Sequence, residues 1–387
     1  MIRDLMEKKE KKVEYVELIY DLIFVYIIGR NNSLLHNIEN GFVSGKVFMD
    51  YILCSLAIIQ IWNFSTFYTN MHGRNSVRDH VSLFVNMYLL YYIGEGTRLH
   101  WESFQNQYHL AWALILINIG VQYAIELRSH RGQPDEERTI RGMMVALFGE
   151  AAIVLAAIPV YNRTGMPLAG VAILYGIVAT WALGGSAKAQ LVDFTHLTER
   201  AMLYVVFTFG EMIIAIAAYF EGGFTMGSVY FSTLSFLIVV GLFLCYEILY
   251  DHIVDRDRES AGMRYMMIHI FLIFGMNLIT TSLAFMRNEA VALWPKLLLL
   301  VGAFLLYFLC LFGLLAYAKP EMKRCSRFLG QVAALSLGFM ALMILLRENM
   351  YLNILVSVLY VFAQFAMIQR FRRQKTVCCV DGKGEDA

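Results

Sequence analysis

Twelve long apolar runs, each closed by a charged or polar segment, follow one another along 387 residues. They occupy 16–35, 47–69, 81–99, 108–127, 143–161, 168–187, 201–220, 229–250, 265–286, 293–317, 328–346 and 351–369. Crossing a hydrocarbon layer of about 30 Å takes about 20 helical residues, and most of the runs match that length. They are continuous and lack the two-residue alternation of a barrel strand. In lipid only a helix or a closed barrel satisfies its own backbone, so helices are expected. A helix buried in a soluble core accounts for any one run, but not for twelve in series. Composition agrees, with 58% hydrophobic and 16% charged residues, against about 25% charged in an ordinary globular chain. The mean hydropathy is +0.55. The expected fold class is all-α: a polytopic membrane helical bundle of about 12 transmembrane helices, with the lipid bilayer as its first partner.

Basic residues orient the bundle. If the N-terminus is cytoplasmic, 25 of the 32 Lys and Arg fall in inside segments, six fall in outside connections or, as Arg98 and Lys296, at the outer ends of runs, and Arg30 lies within the first run. Positive charge collects on the cytoplasmic side, so both termini are expected there and the cell (plasma) membrane is the expected location. Residues 8–12 are basic but lead into Glu14, Glu17 and Asp21. The first run is therefore expected to stay as an anchor and not to be cleaved. The domains expected are a cytoplasmic N-terminal segment 1–14, a transmembrane domain 15–369 and a disordered cytoplasmic tail 370–387. Tyr68 and Arg74 after the second run recur as Tyr250 and Arg256 after the eighth. That echo suggests two six-helix halves, about 15–187 and 193–369, as in many transporters. A net charge of +1 leaves no basic arm for nucleic acid. Oligomeric state is left open.

Carboxylates in the apolar runs are the features that composition does not explain. Glu211 stands 11 residues beyond Arg200, which places it roughly 16 Å into the membrane. Glu150 stands nine residues beyond Arg141, or roughly 14 Å deep. An ionised side chain at the bilayer centre costs about 2.5–3.5 kcal/mol on insertion scales. Keeping the proton, facing a basic partner or facing water lowers that cost, and each response suits a proton or cation site. Glu17 and Asp21 are four apart and share a helix face. His196, Glu199 and Arg200 share another, and could bind or gate. His269 lies deep in the ninth run. Inert hydrogen bonds between helices, solvated helix ends and headgroup contacts are the bland readings of the same residues. Glu126 and Glu95 lie near run ends and are expected in water. Ala172, Gly176, Thr180 and Gly184 form a small-residue packing stripe.

Several chemistries are absent from the sequence. No GxxxxGK[ST] loop supplies nucleotide energy, no HExxH or paired-cysteine set holds a metal, and no GxSxG elbow holds a nucleophile. No catalytic residue, metal or cofactor is therefore expected.

Two segments carry a resemblance. Val16-Glu-Leu-Ile-Tyr-Asp21-Leu-Ile-Phe-Val25 is similar to the opening VELFFDLVFV of the bacterial low temperature requirement protein A (LtrA) family. His196-Leu-Thr-Glu-Arg200, with Phe209-Gly-Glu211 after it, resembles that family's HLxER and GE segment. The residues after the first motif, and Ala201 and Met202 after the second, depart from the family's usual pattern. The resemblance implies a polytopic membrane protein and, by itself, no particular activity.

The residues point first to a secondary transporter or ion-conducting protein for a small solute, proton or cation. Glu150 and Glu211 would be its central pair and Asp21 a relay. Two other classes stay open. One is a membrane stress or assembly factor without turnover, in which the acids are structural. The other is an enzyme on a lipid-linked substrate, with His196 and the two glutamates moving protons.

Overall fold

The computed structural model describes residues 13–36, 38–99, 101–164, 168–184, 192–322 and 326–381. They form twelve α-helices and, among the described residues, no strand. In chain order these are α1 (Tyr15–Asn31), α2 (Gly45–His72), α3 (Val77–Leu99), α4 (Trp101–Ser129), α5 (Pro134–Thr164) and α6 (Leu168–Gly184). Then come α7 (Phe194–Ala215), α8 (Met226–Ile248), α9 (Met263–Phe285), α10 (Leu293–Gly313), α11 (Ser326–Leu345) and α12 (Met350–Asp381).

Nine helices among the described residues are long and apolar enough to cross a membrane: α2, α4, α5 and α7 to α12. The expected count of about 12 is not reached on that measure, for reasons visible in the other three. Glu17, Asp21 and Arg30 interrupt the 17 residues of α1. Arg78, Asp79, Glu95 and Arg98 dilute α3. The described apolar part of α6, Leu168–Leu183, is under membrane length, and 185–187 of the sixth run lie outside the described residues. The segment from 370, expected to be disordered, begins as the last turns of α12, and 382–387 lie outside the described residues. So do 1–12 of the N-terminal segment.

The chain divides into two compact units built from interleaved segments. Unit 1 comprises Met1–Ser33, Ile52–Tyr204 and Arg256–Met267, and unit 2 comprises Leu34–Tyr51, Val205–Asp255 and Ile268–Ala387. In unit 1 the helices pack serially, α1 on α3, α3 on α4, α4 on α5 and α5 on α6. Their core is aromatic, with Tyr20, Trp62, Tyr108, Trp112, Tyr123 and Tyr204 fully enclosed. Polar side chains tie it together. Asn86 Nδ2 donates to Tyr20 Oη at 3.4 Å, and Asn118 Nδ2 donates to Asn86 Oδ1 at 2.8 Å. Arg30, within the first run, pairs with Glu95 at 3.8 Å, both partly exposed.

In unit 2, α12 packs on α8, α11 on α12 and α10 on α11. Phe339 and Tyr360 stack at 4.1 Å, and Tyr307 Oη donates to the Leu242 carbonyl at 2.8 Å. Thr225 caps α8 by accepting from Ser228 N–H at 3.1 Å. The helix widens to a π turn over Leu249–Ile253, where the second Tyr-x5-Arg begins. The first begins at Tyr68, where α2 stays α-helical to His72.

Candidate functional site

The site lies in unit 1, where α1, α2 and α7 meet. Its first requirement is an anchored α7. Asp193, just before the helix, accepts from His196 N–H at 3.1 Å. The Asn70 side chain of α2 then grips Asp193 from both sides. Its Oδ1 accepts from Asp193 N–H at 3.1 Å, and its Nδ2 donates to the Asp193 carbonyl at 2.8 Å. This fixes the amide, so the same Nδ2, 3.0 Å from His196 Nδ1, is a donor there. In the neutral imidazole the proton then sits on Nε2, which faces Glu17 Oε2 at 3.6 Å.

One turn along α7, Arg200 is fully buried. Its Nη2 donates to Asp21 Oδ1, its Nη1 to Thr69 Oγ1 at 2.6 Å, and Nη1 stands 3.9 Å from Glu17 Oε1. Trp62 Nε1 donates to the same Asp21 oxygen at 2.8 Å. Spacings of four on both helices thus bring His196 and Arg200 against Glu17 and Asp21. Glu17 is 5% exposed and Asp21 is 0% exposed, with His196 1% and Arg200 0%. Two like charges on one face of α1 are held by the guanidinium between α1 and α7, which offsets their repulsion. Asp21 Oδ2 and Arg200 Nε have no hydrogen-bond partner among the described residues. Glu17 also lines a cavity of about 140 Å³, together with Glu14, Thr69, Arg74, Asp79 and His80. One side of Glu17 therefore faces that space and the other faces His196 and Arg200.

Glu150 is elsewhere in unit 1. It is fully buried, and its Oε2 accepts from Gln60 Nε2 at 3.2 Å. Its Oε1 has no partner among the described residues. Gly176 of α6 makes room for the pair, since a Cβ there would run into both Gln60 Nε2 and Glu150 Oε2. The small-residue stripe on α6 thus serves a buried carboxylate as well as packing.

Glu199 is half-buried. Glu211 is half-buried and belongs to unit 2. His269, also in unit 2, lies 3.1 Å from Tyr246 Oη through Nε2. A larger cavity of about 320 Å³ in unit 2 is lined by Met212, Tyr219, Thr280 and Arg287 among others, and by none of the eight selected residues. Glu126, expected in water, is instead 1% exposed, because Arg74 from the α2–α3 connection and Arg78 from the first turn of α3 fold onto it.

Gln60, Trp62, Thr69 and Asn70 complete the sites and were not singled out from sequence. The available signal was density: Gln60, Asn63, Ser65, Thr66, Thr69 and Asn70 crowd one part of an otherwise apolar run. Uncharged polar side chains between membrane helices are common as packing, so without partners they read as ordinary.

A helical chain with nine membrane-length apolar helices among its described residues, and a charged cluster buried among three helices, is a multi-pass membrane protein. A profile of the bacterial low temperature requirement A protein (LtrA) matches residues 12–364, and the chain belongs to that family. No curated protein and no solved structure matches it.

Proposed function

We propose that the chain is a secondary transporter or ion-conducting protein of the plasma membrane, with cytoplasmic termini, and that Glu17, His196, Arg200 and Asp21 handle the charge it moves. The observation that carries this reading is the position of Glu17, between an open cavity on one side and a buried His–Arg–Asp set on the other. A cation or proton entering the cavity meets a carboxylate first. His196 Nε2–H, 3.6 Å away, can donate a hydrogen bond to that carboxylate after a small movement and so steadies its charged form. Arg200 remains charged throughout, so protonating either acid loosens its hold, and a change of charge becomes a change in how α1 and α7 engage. Glu150 is the second carboxyl of the mechanism and Glu211 a third, in the other unit.

A structural role has its own support. Arg200 is balanced inside the protein by Asp21, and a buried ion pair that is neutralised internally needs no transported charge. This would suit a stress or assembly factor.

Purified protein in proteoliposomes with an internal pH dye distinguishes the two. Under an imposed potential, wild type should move protons or cations well above empty vesicles. Glu17→Gln should be at least about tenfold slower while melting within a few degrees of wild type. Wild-type flux at the empty-vesicle rate, or equal flux in Glu17→Gln, would leave only the structural role.

A further inference from the structure

Where α2 and α4 end in unit 1, His72, Glu126 and His130 place two ring nitrogens and a carboxylate oxygen within 4.8 Å of one another. No spacing in the sequence announces this group, because His72 is brought in from another helix. We propose that these three residues, with Glu136 as a fourth donor, form a binding site for a divalent transition cation of the zinc type.

Glu126 and His130 are four apart, so their side chains project from one side of the α4 end. His72 meets them from α2, its ring centroid 5.4 Å from that of His130. The tautomer of His130 suits a ligand. Its Nδ1 lies 2.8 Å from the Glu126 carbonyl, which can only accept, so Nδ1 carries the proton. That leaves the Nε2 lone pair for a metal, the usual arrangement for a ligating imidazole backed by a carbonyl. Glu136, at the start of α5, puts Oε2 3.3 Å from that Nε2, about the separation between neighbouring ligands of a tetrahedral ion. Two imidazoles and one or two carboxylates favour zinc, cobalt or nickel over magnesium or calcium.

Two guanidiniums stand beside the group, and they decide how it works. Arg78 holds Glu126 Oε1, which leaves the other oxygen, Oε2, beside the His130 ring, 3.9 Å from its Nδ1. Arg74 Nη2 lies 3.3 Å from that other oxygen, Oε2, and its side chain is 63% exposed. A cation must displace Arg74, which has solvent to move into, while Arg78 stays as the outer support of the carboxylate. Bound metal would tie the ends of α2 and α4 to the start of α5. Arg74 also lines the cavity that Glu17 faces, so its release would alter that wall. The proposal stands whether or not the chain transports anything, since it concerns binding at a separate group.

The test is titration of the full chain in detergent with zinc chloride, with cobalt chloride as the spectroscopic probe, in a Cys378→Ser/Cys379→Ser background so that tail thiols take no metal. One equivalent should bind, and cobalt should show the strong visible bands of a four-coordinate site. His130→Ala and His72→Ala should each weaken binding at least about tenfold. Arg74→Ala, an exposed change that leaves all four donors in place, should tighten it several-fold, an effect no purely structural role produces. No zinc binding by the parent chain, or affinity unmoved by all three substitutions, overturns the site.

Discussion

Arg200 of α7 reaches Asp21 of α1 through a direct Nη2–Oδ1 contact, with both side chains entirely enclosed by protein. An ion pair in such surroundings is justified only by good geometry and further hydrogen bonds. Thr69 and Trp62 supply those bonds. Removing one charge strands the other, a loss of about 3–5 kcal/mol for a buried pair. Arg200→Met should therefore melt far below wild type in detergent. Asp21→Leu combined with Arg200→Met should recover part of the loss, because the fully enclosed charge is gone and only Glu17, which also borders a cavity, is left without the guanidinium. A double variant as unstable as the sum of the singles would mean that the two residues do not act as a pair.

Asn70 tests the anchoring of α7. Asn70→Ala removes two bonds to Asp193 and one to His196. A cost of about 1–3 kcal/mol is expected for leaving these buried groups unpaired, read as a lower melting temperature. The nitrogen chemical shifts of labelled His196 should also change, since nothing then fixes its tautomer. Unchanged shifts would show that Asn70 does not set that ring.

Gly176→Ala asks whether α6 really leaves room for Glu150. The added methyl overlaps Gln60 and Glu150, and overpacking of this kind costs about 1–3 kcal/mol. Gln60→Ala in the same chain should return part of it by vacating space. Equal stability of Gly176→Ala and wild type would mean that the carboxylate has slack.

Asp79 links stability to pH outside the membrane-spanning helices. Burial pushes its carboxyl up, but the Arg74 and Ser76 N–H groups at 3.0 and 3.2 Å, the Ser76 hydroxyl and Arg78 hold it below its ordinary value of 3.8. A folded-state value below the unfolded one gives stability that is present above about pH 4 and is lost as pH falls through the lowered value. Melting temperatures of wild type and Asp79→Asn, compared from pH 7 to pH 3, should differ at neutral pH and converge toward the acid end. A gap that stays constant or widens with acid would contradict the assignment.

The sequence carried much of this, unevenly. Helices over the twelve runs followed from hydropathy, yet α1 and α3 fell short of membrane length or apolarity. They did so because the polar residues that make α1 and α3 interesting are the ones that lower their hydropathy. Glu17 and Asp21 on one face, and His196 and Arg200 on another, were legible from spacing alone. That the two faces meet was not, since it depends on tertiary packing of helices far apart in the chain. The α2 side chains and His72 were illegible for the same reason. Glu126 was misplaced into water because its two arginine partners sit just before α3 and in its first turn, about 50 residues away.

The central claim is that charge enters through Glu17. It is tested most directly by transient currents from proteoliposomes adsorbed on a solid-supported membrane after a pH or cation jump. Wild type should give a current well above protein-free vesicles, and Glu17→Gln, folded and inserted to the same extent, should lose most of it. Equal currents from the two proteins, or none from wild type under any jump, would contradict the account.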